Sequence, residues 1–371
     1  ACLHGSIVQW GASITTQAIV QDSVIGEYAT IEHNALIRES FVGANCHIGQ
    51  GEVTASLLGP CVAAHHQSLV IATIWPTGRG NIASGAQVGS NHTGRAADQA
   101  IRCGEGLFFG LGSLVKFPAD FTAAPHSVIA AGVTTLPQRV EFPFSLINTP
   151  SEVFANTSPA LNEISPAWVL SHSLYQIRRN DEKHRQQHQA RHDNLDFETF
   201  STGTIRLMQV ALERLEAATD QPVYSGDDIT GLGKNVMSRK SLGNAVETYR
   251  FFINWYALCR LKQRLELLGV AANSPQANDC LQEHTDDVDW TLAQQILDGR
   301  ADIPGMLEEL RAGERTITES IKESKTRDDQ RVNRIFDGSA PPTTPADDDA
   351  FVRLSRNAFD RLSQEIDALL E

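Results

Sequence analysis

Hydrophobic positions in the first part of the chain recur at a spacing that is neither helical nor simply alternating. Ile19, Ile25, Ile31 and Ile37 fall six residues apart. Leu36, Val42 and Ile48 resume the step after a one-residue slip, and Ile82 and Val88 repeat it later. Small residues follow several of these aliphatics, as in Ile25-Gly26, Val42-Gly43, Ile48-Gly49 and Val88-Gly89. Helices bury positions at period 3.6 and half-buried strands at period two. A period of six describes a coil of three short strands. One aliphatic per face points inward, and a residue tolerant of positive φ turns each corner. The pattern therefore predicts a left-handed parallel β-helix of hexapeptide repeats over about residues 6–147.

Two stretches interrupt the period. Residues 59–80 (GPCVAAHHQSLVIATIWPTGRG) and 91–106 carry extra residues and read as loops thrown out from the coil. The solenoid is expected to finish at PHSVIAAGVTTLPQ, with EFPFSLINTP as an extended exit strap.

Beyond residue 150 the spacing becomes helical. Ile164, Trp168, Ser171 and Tyr175 open a stripe over 160–193, and Ile205, Met208, Leu212 and Leu215 form another within 200–218. The longest helix is expected from Ser241 to Leu268, stopped by Gly269 and apolar around much of its circumference. A polar helix from about Met306 to Phe336 follows. A final helix carries Phe351, Leu354, Ala358, Leu362, Ile366 and Leu369 at i, i+3 or i+4 and must dock somewhere. The expected organisation is a β-helix over 1–150, an α-helical bundle over 151–336, a linker over 337–349 (DGSAPPTTPADDD) and a docking helix over 350–371.

Composition narrows the function. The 371 residues carry a formal net charge of −14, which argues against a nucleic-acid partner, since phosphate binding needs basic patches. No apolar run is long enough to cross a bilayer. Six cysteines without a CxxC pair read as free thiols in a reducing cytoplasm. The chain lacks an initial Met and enters its repeats at once, so further coils upstream are expected.

His65, His66 and His92 are the sharpest chemical feature, each beside an interruption of the repeat. A neutral imidazole can take a proton from a hydroxyl or amine as it attacks an acyl donor. In that reading His92 is the base, Asn91 a substrate or oxyanion donor, and His65 or His66 orients the substrate. The same histidines also fit a Zn²⁺ site or a structural role at coil corners. Arg79, Arg95, Arg102 and Lys116 lie in or beside the interruptions and suit a phosphate or the pyrophosphate of an acyl-CoA. His184, His188 and His192 repeat every fourth residue among polar neighbours and read as one solvated helix face.

Gly59, Pro60, His65, His66, Ser68, Ser90, Asn91 and His92, with the EFPFSLI strap and the helical tail, resemble a group of bacterial hexapeptide-repeat proteins. That group is known as domains of unknown function and labelled as sugar-nucleotide or hexapeptide transferases. Asn91-His92 also resembles the Asn-His pair of the acetyltransferase β-helix in the enzyme that forms UDP-N-acetylglucosamine. His65 or His66 with His92 loosely resembles the zinc site of hexapeptide-repeat carbonic anhydrases. These resemblances imply acyl or related group transfer to a sugar or nucleotide-sugar, and a homotrimer with sites between neighbouring prisms. The alternatives left open are a metal-dependent lyase or hydrolase and a non-catalytic assembly scaffold.

Overall fold

The computed structural model describes residues 1–90, 99–154, 157–192, 195, 197–283, 285–336 and 344–371. The chain forms two compact units. One comprises residues 1–169, 181–198 and 210–246, and the other 170–180, 199–209 and 247–371.

The first unit is a parallel β-solenoid of three faces, each with eight coil strands. The first face stacks strands from Cys2–His4 through Ile19–Gln21 and Leu36–Arg38 to Thr134–Thr135. The second runs from Ile7–Val8 to Gln138–Arg139. The third runs from Ser13–Ile14 to Leu146–Asn148. Residues 18–54 and 80–90 contain strands and turns only, in line with the repeat reading.

Each face contributes one inward column. Val20, Ile37, Val53, Val70, Val88 and Val115 stack on the first face, all buried. Ile31, Ile48, Ala64, Ile82, Phe109, Ile129 and Ile147 stack on the third. Burying each large aliphatic is worth roughly 1.5–3 kcal/mol before ordering entropy. The phase differs from the expected one. The inward series is Ile14, Val20, Ile25, Ile31, Ile37, Val42 and Ile48, in steps of six, five and six, whereas Ile19 is 39% exposed. The five-residue step falls at the corner between the first and second faces, which turns on a single left-handed residue (Asp22, Glu39, Ala55 or Ala72). That short corner produces the one-residue slip in the sequence.

The stretch 59–80 is not a loop. It contributes the strands Ala63–His65, Leu69–Ile71 and Thr73–Trp75 to the three faces in register. The period was masked because Trp75 takes the inward place of an aliphatic. The indole packs edge-on against Phe109 at 5.7 Å, and a Cβ on Gly80 would lie 1.9 Å from it. The exit strap likewise carries the last coil strand, Leu146–Asn148. Asn162–Ser165, expected to be helical, instead pairs antiparallel with that strand and buries Ile164 over the open end of the column. Pairing satisfies backbone groups that the last coil would otherwise leave open.

Eight helices follow among the described residues: α1 (Trp168–His172), α2 (Leu174–Gln187), α3 (Thr202–Glu216), α4 (Arg239–Leu268), α5 (Pro275–Cys280), α6 (Val288–Ile296), α7 (Ile303–Phe336) and α8 (Ala350–Leu370). Among them α5 and α6 are too short to register as periodic stripes. Gly269, at φ +63, ends α4 as expected. In the second unit, Leu258, Leu261, Leu265, Trp290, Leu307 and Leu310 form the core that takes up Ile366 and Leu369 of α8. Asp349 caps α8 by accepting from the backbone N–H groups of Phe351 and Val352. The final amphipathic helix thus docks within its own unit. No helix among the described residues is long and apolar enough to cross a membrane.

The short corner carries a hydroxyl ladder. The backbone N–H of Ser23 donates to Ser6 Oγ, that of Ser40 to Ser23 Oγ, that of Ser56 to Ser40 Oγ and that of Thr73 to Ser56 Oγ. Ser40→Ala leaves the Ser56 N–H without its acceptor in a buried corner and is expected to cost about 1–3 kcal/mol. Chemical denaturation measures it, and unchanged stability would show that the ladder is incidental.

Candidate functional site

Parallel stacking brings residues about one coil apart to within about 4.8 Å along a face. On the outer side of the third face, Glu32, Gly49 and His65 share one column, and Thr30, His47 and Ala63 share the next. His47 Nε2 lies 2.8 Å from Glu32 Oε1, and His33 Nδ1 lies 3.3 Å from the same oxygen. The rings of His47 and His65 meet edge-on at 4.8 Å. Gly49 leaves the space between Glu32 and His65 free of side chain. His66 stands at the following corner at φ +52 with its ring exposed, and its Nδ1 lies 3.2 Å from Gln50 Oε1.

A neighbouring corner holds a second segment against this face. α2 ends at Gln187, so His184, His188 and His192 do not share a helix face as their spacing implied. Arg79, with its side chain 4% exposed, binds Glu105 and Asp181 at 2.6 Å each and donates to the Phe197 carbonyl. Its guanidinium also lies over the Phe197 ring. Asn45 holds His188 Nδ1 at 3.0 Å through Nδ2 and accepts from the Gln189 N–H through Oδ1. Glu27 accepts from the Arg191 N–H and contacts the His192 ring. The Arg191 N–H is the main reason the Glu27 carboxyl titrates below its ordinary range. Corner side chains of the solenoid thus hold Asp181, His188, Gln189, Arg191 and Phe197 in place.

A cavity of about 400 Å³ lies between this segment and the third face. Its walls include Tyr28, Asn45, His47, Cys61, His65, Lys183, His184 and His188. That volume suits a small ligand. Burial is the largest cause holding His65 below its ordinary pKa, followed by the charges of His47, His66 and Lys183, so its imidazole is neutral at neutral pH. Burial pushes the Cys46 thiol up to about 12, which removes it as a nucleophile. Glu32 is held below its ordinary range chiefly by the His47 hydrogen bond and is ionised. The arrangement is an imidazole–carboxylate pair at a polar cavity, with the neutral His65 imidazole beside it.

The residues singled out from sequence are dispersed by the fold. His65 and His66 come together, while Asn91, His92 and Arg95 lie outside the described residues. Arg79 is occupied at its corner by Glu105 and Asp181, Arg102 lies on the second face and Lys116 on the first. Among the described residues no group of three or more His, Cys, Asp or Glu is placed to hold a metal ion. His47, Glu32, Asn45 and Lys183 were missed. A coil period of 16–17 residues would have aligned 32, 49 and 65, whereas eighteen misplaces them.

The chain is a parallel β-solenoid with a histidine-lined cavity on one face and a helical C-terminal region. A family model described as a domain of unknown function (DUF4954) matches residues 2–219, more than half of the chain, and the protein belongs to that family. An uncharacterized protein of Treponema pallidum (strain Nichols) is 29% identical over 172 residues, 46% of this chain. The match spans only 23% of the Treponema protein.

Two histidine rings set a pH limit. His126 is buried and stacked on Phe144, and burial brings it down to about 3. Burial and the Arg79 charge bring His184 down to about 4. Both are neutral in the fold, whereas in the unfolded chain they take up protons as pH falls through about 6.5. The unfolded state then binds more protons, so stability present above pH 6.5 is lost on the way down to about 3–4. Denaturation midpoints should fall between pH 7 and pH 5, and less steeply in His126→Gln. Parallel slopes in the two proteins would refute the assignment.

Proposed function

We propose that this protein catalyses acyl or related group transfer to a hydroxyl or amine of a sugar or nucleotide-sugar, in the cavity of the third face. The observation that carries this reading is the His47–Glu32 pair beside His65. Glu32 orients the His47 ring through Nε2, and Nδ1 of His47 is the atom that takes the acceptor's proton. The acceptor oxygen or nitrogen forms its bond to the acyl carbon as the bond to the leaving thiolate breaks, and the thiolate is the other product. His65, neutral, hydrogen-bonds an acceptor hydroxyl, and Lys183 and Asn45 supply further polar contacts. The donor class is an acyl-CoA.

The test is thiol release from an acyl-CoA panel with sugar and nucleotide-sugar acceptors. His47→Ala is expected to lower turnover about 10²–10⁴-fold, the usual range for loss of a general base. His47 is half exposed, so the melting temperature should hardly move. Equal turnover in His47→Ala would remove it from the chemistry, and no thiol release with any acceptor would reject the reaction class.

A second reading, compatible with the first, concerns assembly. Ile7, Val24, Phe41, Leu57 and Ile74 form an outward column on the second face over five consecutive coils. Ile7, Phe41, Leu57 and Ile74 are 63%, 42%, 39% and 42% exposed. Such a flat apolar stripe favours a homo-oligomer, with a trimer of parallel prisms as the arrangement we propose. Light scattering on Phe41→Asp/Leu57→Asp should then report a smaller particle than the unaltered chain. The same mass for both would exclude this face.

A further inference from the structure

A second cavity, separate from the histidines, lies where the solenoid ends. It has a volume of about 620 Å³ and is bounded by the last strand of the second face, Gln138–Arg139, by Glu141 and by the loop 225–234. The loop sequence SGDDITGLGK is held by contacts of its own and by contacts to the end of the solenoid. Asp228 accepts from both the N–H and the hydroxyl of Ser225. The Gly231 carbonyl accepts from the Glu141 N–H. The Lys234 N–H donates to Gln138 Oε1 at 3.0 Å. Gly233, at φ +69, lets the loop approach so closely that a Cβ there would lie 2.6 Å from Gln138 Oε1. The wall is therefore preformed, which spares a ligand the cost of ordering it.

The cavity is lined by Arg139, Arg214 and Lys234 against Glu141 and Asp227, a small positive excess in a chain of net charge −14. Glu141 is shared between Arg139 at 2.6 Å and Arg214 at 2.5 Å, so one carboxylate faces two guanidinium groups. Lys234 is exposed and has no acidic partner among the described residues. Two buried amides complete the wall. Asn235 donates through Nδ2 to Gln138 Oε1 at 2.8 Å, while Asn235 Oδ1 and Gln138 Nε2 have no protein partner. Gln138 is 9% exposed and Asn235 1%. Buried polar groups are almost always paired, so a free donor and a free acceptor side by side mark a place built for a polar group. A hydroxyl meets both, since it accepts one hydrogen bond and donates another.

We infer that this cavity is a second ligand site, which binds a small phosphorylated polyol such as a sugar phosphate. The phosphate lies against Lys234, Arg139 and Arg214, and a hydroxyl against the Gln138–Asn235 pair. The site stands apart from the transfer reaction proposed for the third face and does not depend on it.

The experiment is isothermal titration at constant ionic strength with glucose 6-phosphate, glucose and inorganic phosphate as probes. Saturable binding of glucose 6-phosphate, tighter than that of either inorganic phosphate or glucose, is expected. Lys234→Glu, on an exposed side chain, should weaken it about tenfold or more by reversing the charge that meets the phosphate. His47→Ala should leave it unchanged. Absence of saturable binding for glucose 6-phosphate, or equal affinity in Lys234→Glu, overturns the inference. Loss of binding in His47→Ala would place the ligand in the histidine cavity and overturn it as well.

Discussion

The coil-to-coil backbone ladder is the constraint from which the rest follows. The N–H of Ser13 donates to Ala29, that of Thr30 to Cys46, that of His47 to Val62 and that of Ala63 to Gly80. Each coil is thereby held in register with the next, and an inward residue can only stack on the inward residue of its neighbour. The apolar columns are a consequence of this geometry as much as a cause of stability. A change of one residue at a corner must be absorbed at that corner. The five-residue step does so with one left-handed residue and a serine, whose hydroxyl takes the N–H of the next coil.

The same ladder converts distance in sequence into proximity on the outside. Glu32 and His47 meet because they lie on successive coils, and His65 joins them from the coil after. Nothing local prepares this cluster. The corner residues Glu27, Asn45 and Arg79 act in the same way, presenting a vertical set of hydrogen-bonding groups at one edge. Residues 181–192 are polar and have few apolar anchors of their own. The Arg191 and His192 N–H groups face the Glu27 carboxylate, a charge-assisted pairing stronger than that between neutral groups, and the Gln189 N–H meets the Asn45 amide oxygen. The cavity exists because this segment is held there.

Burial then divides the histidines by role. His126 and His184, near the buried Arg79 guanidinium, stay neutral well into acid. His47 keeps half its surface in solvent and has an ionised carboxylate at one nitrogen. The chemistry proposed for this site relies on that difference in environment between rings that look alike along the chain.

Period and composition alone made several features legible: the three-strand coil, the stopping of α4 at Gly269 and the amphipathic final helix. Each is set by contacts within a few residues or by a repeat that every coil obeys. What they left undecided was phase. A chain that mixes five- and six-residue steps offers adjacent apolar residues at many positions, such as Ile19 and Val20, and only stacking chooses which one turns inward. Trp75 hid one coil, because its inward place is defined by Gly80 and Phe109 and not by its neighbours in sequence. His184, His188 and His192 were misassigned for a related reason. Four-residue spacing describes a helix face only while the helix continues, and α2 stops at Gln187, beyond which the segment is held by Asn45 and Glu27 instead. Local sequence thus determined the kind of coil and the ends of its helices. Which side chains meet across 15, 18 or 143 residues was decided only by the register of the stacked backbone.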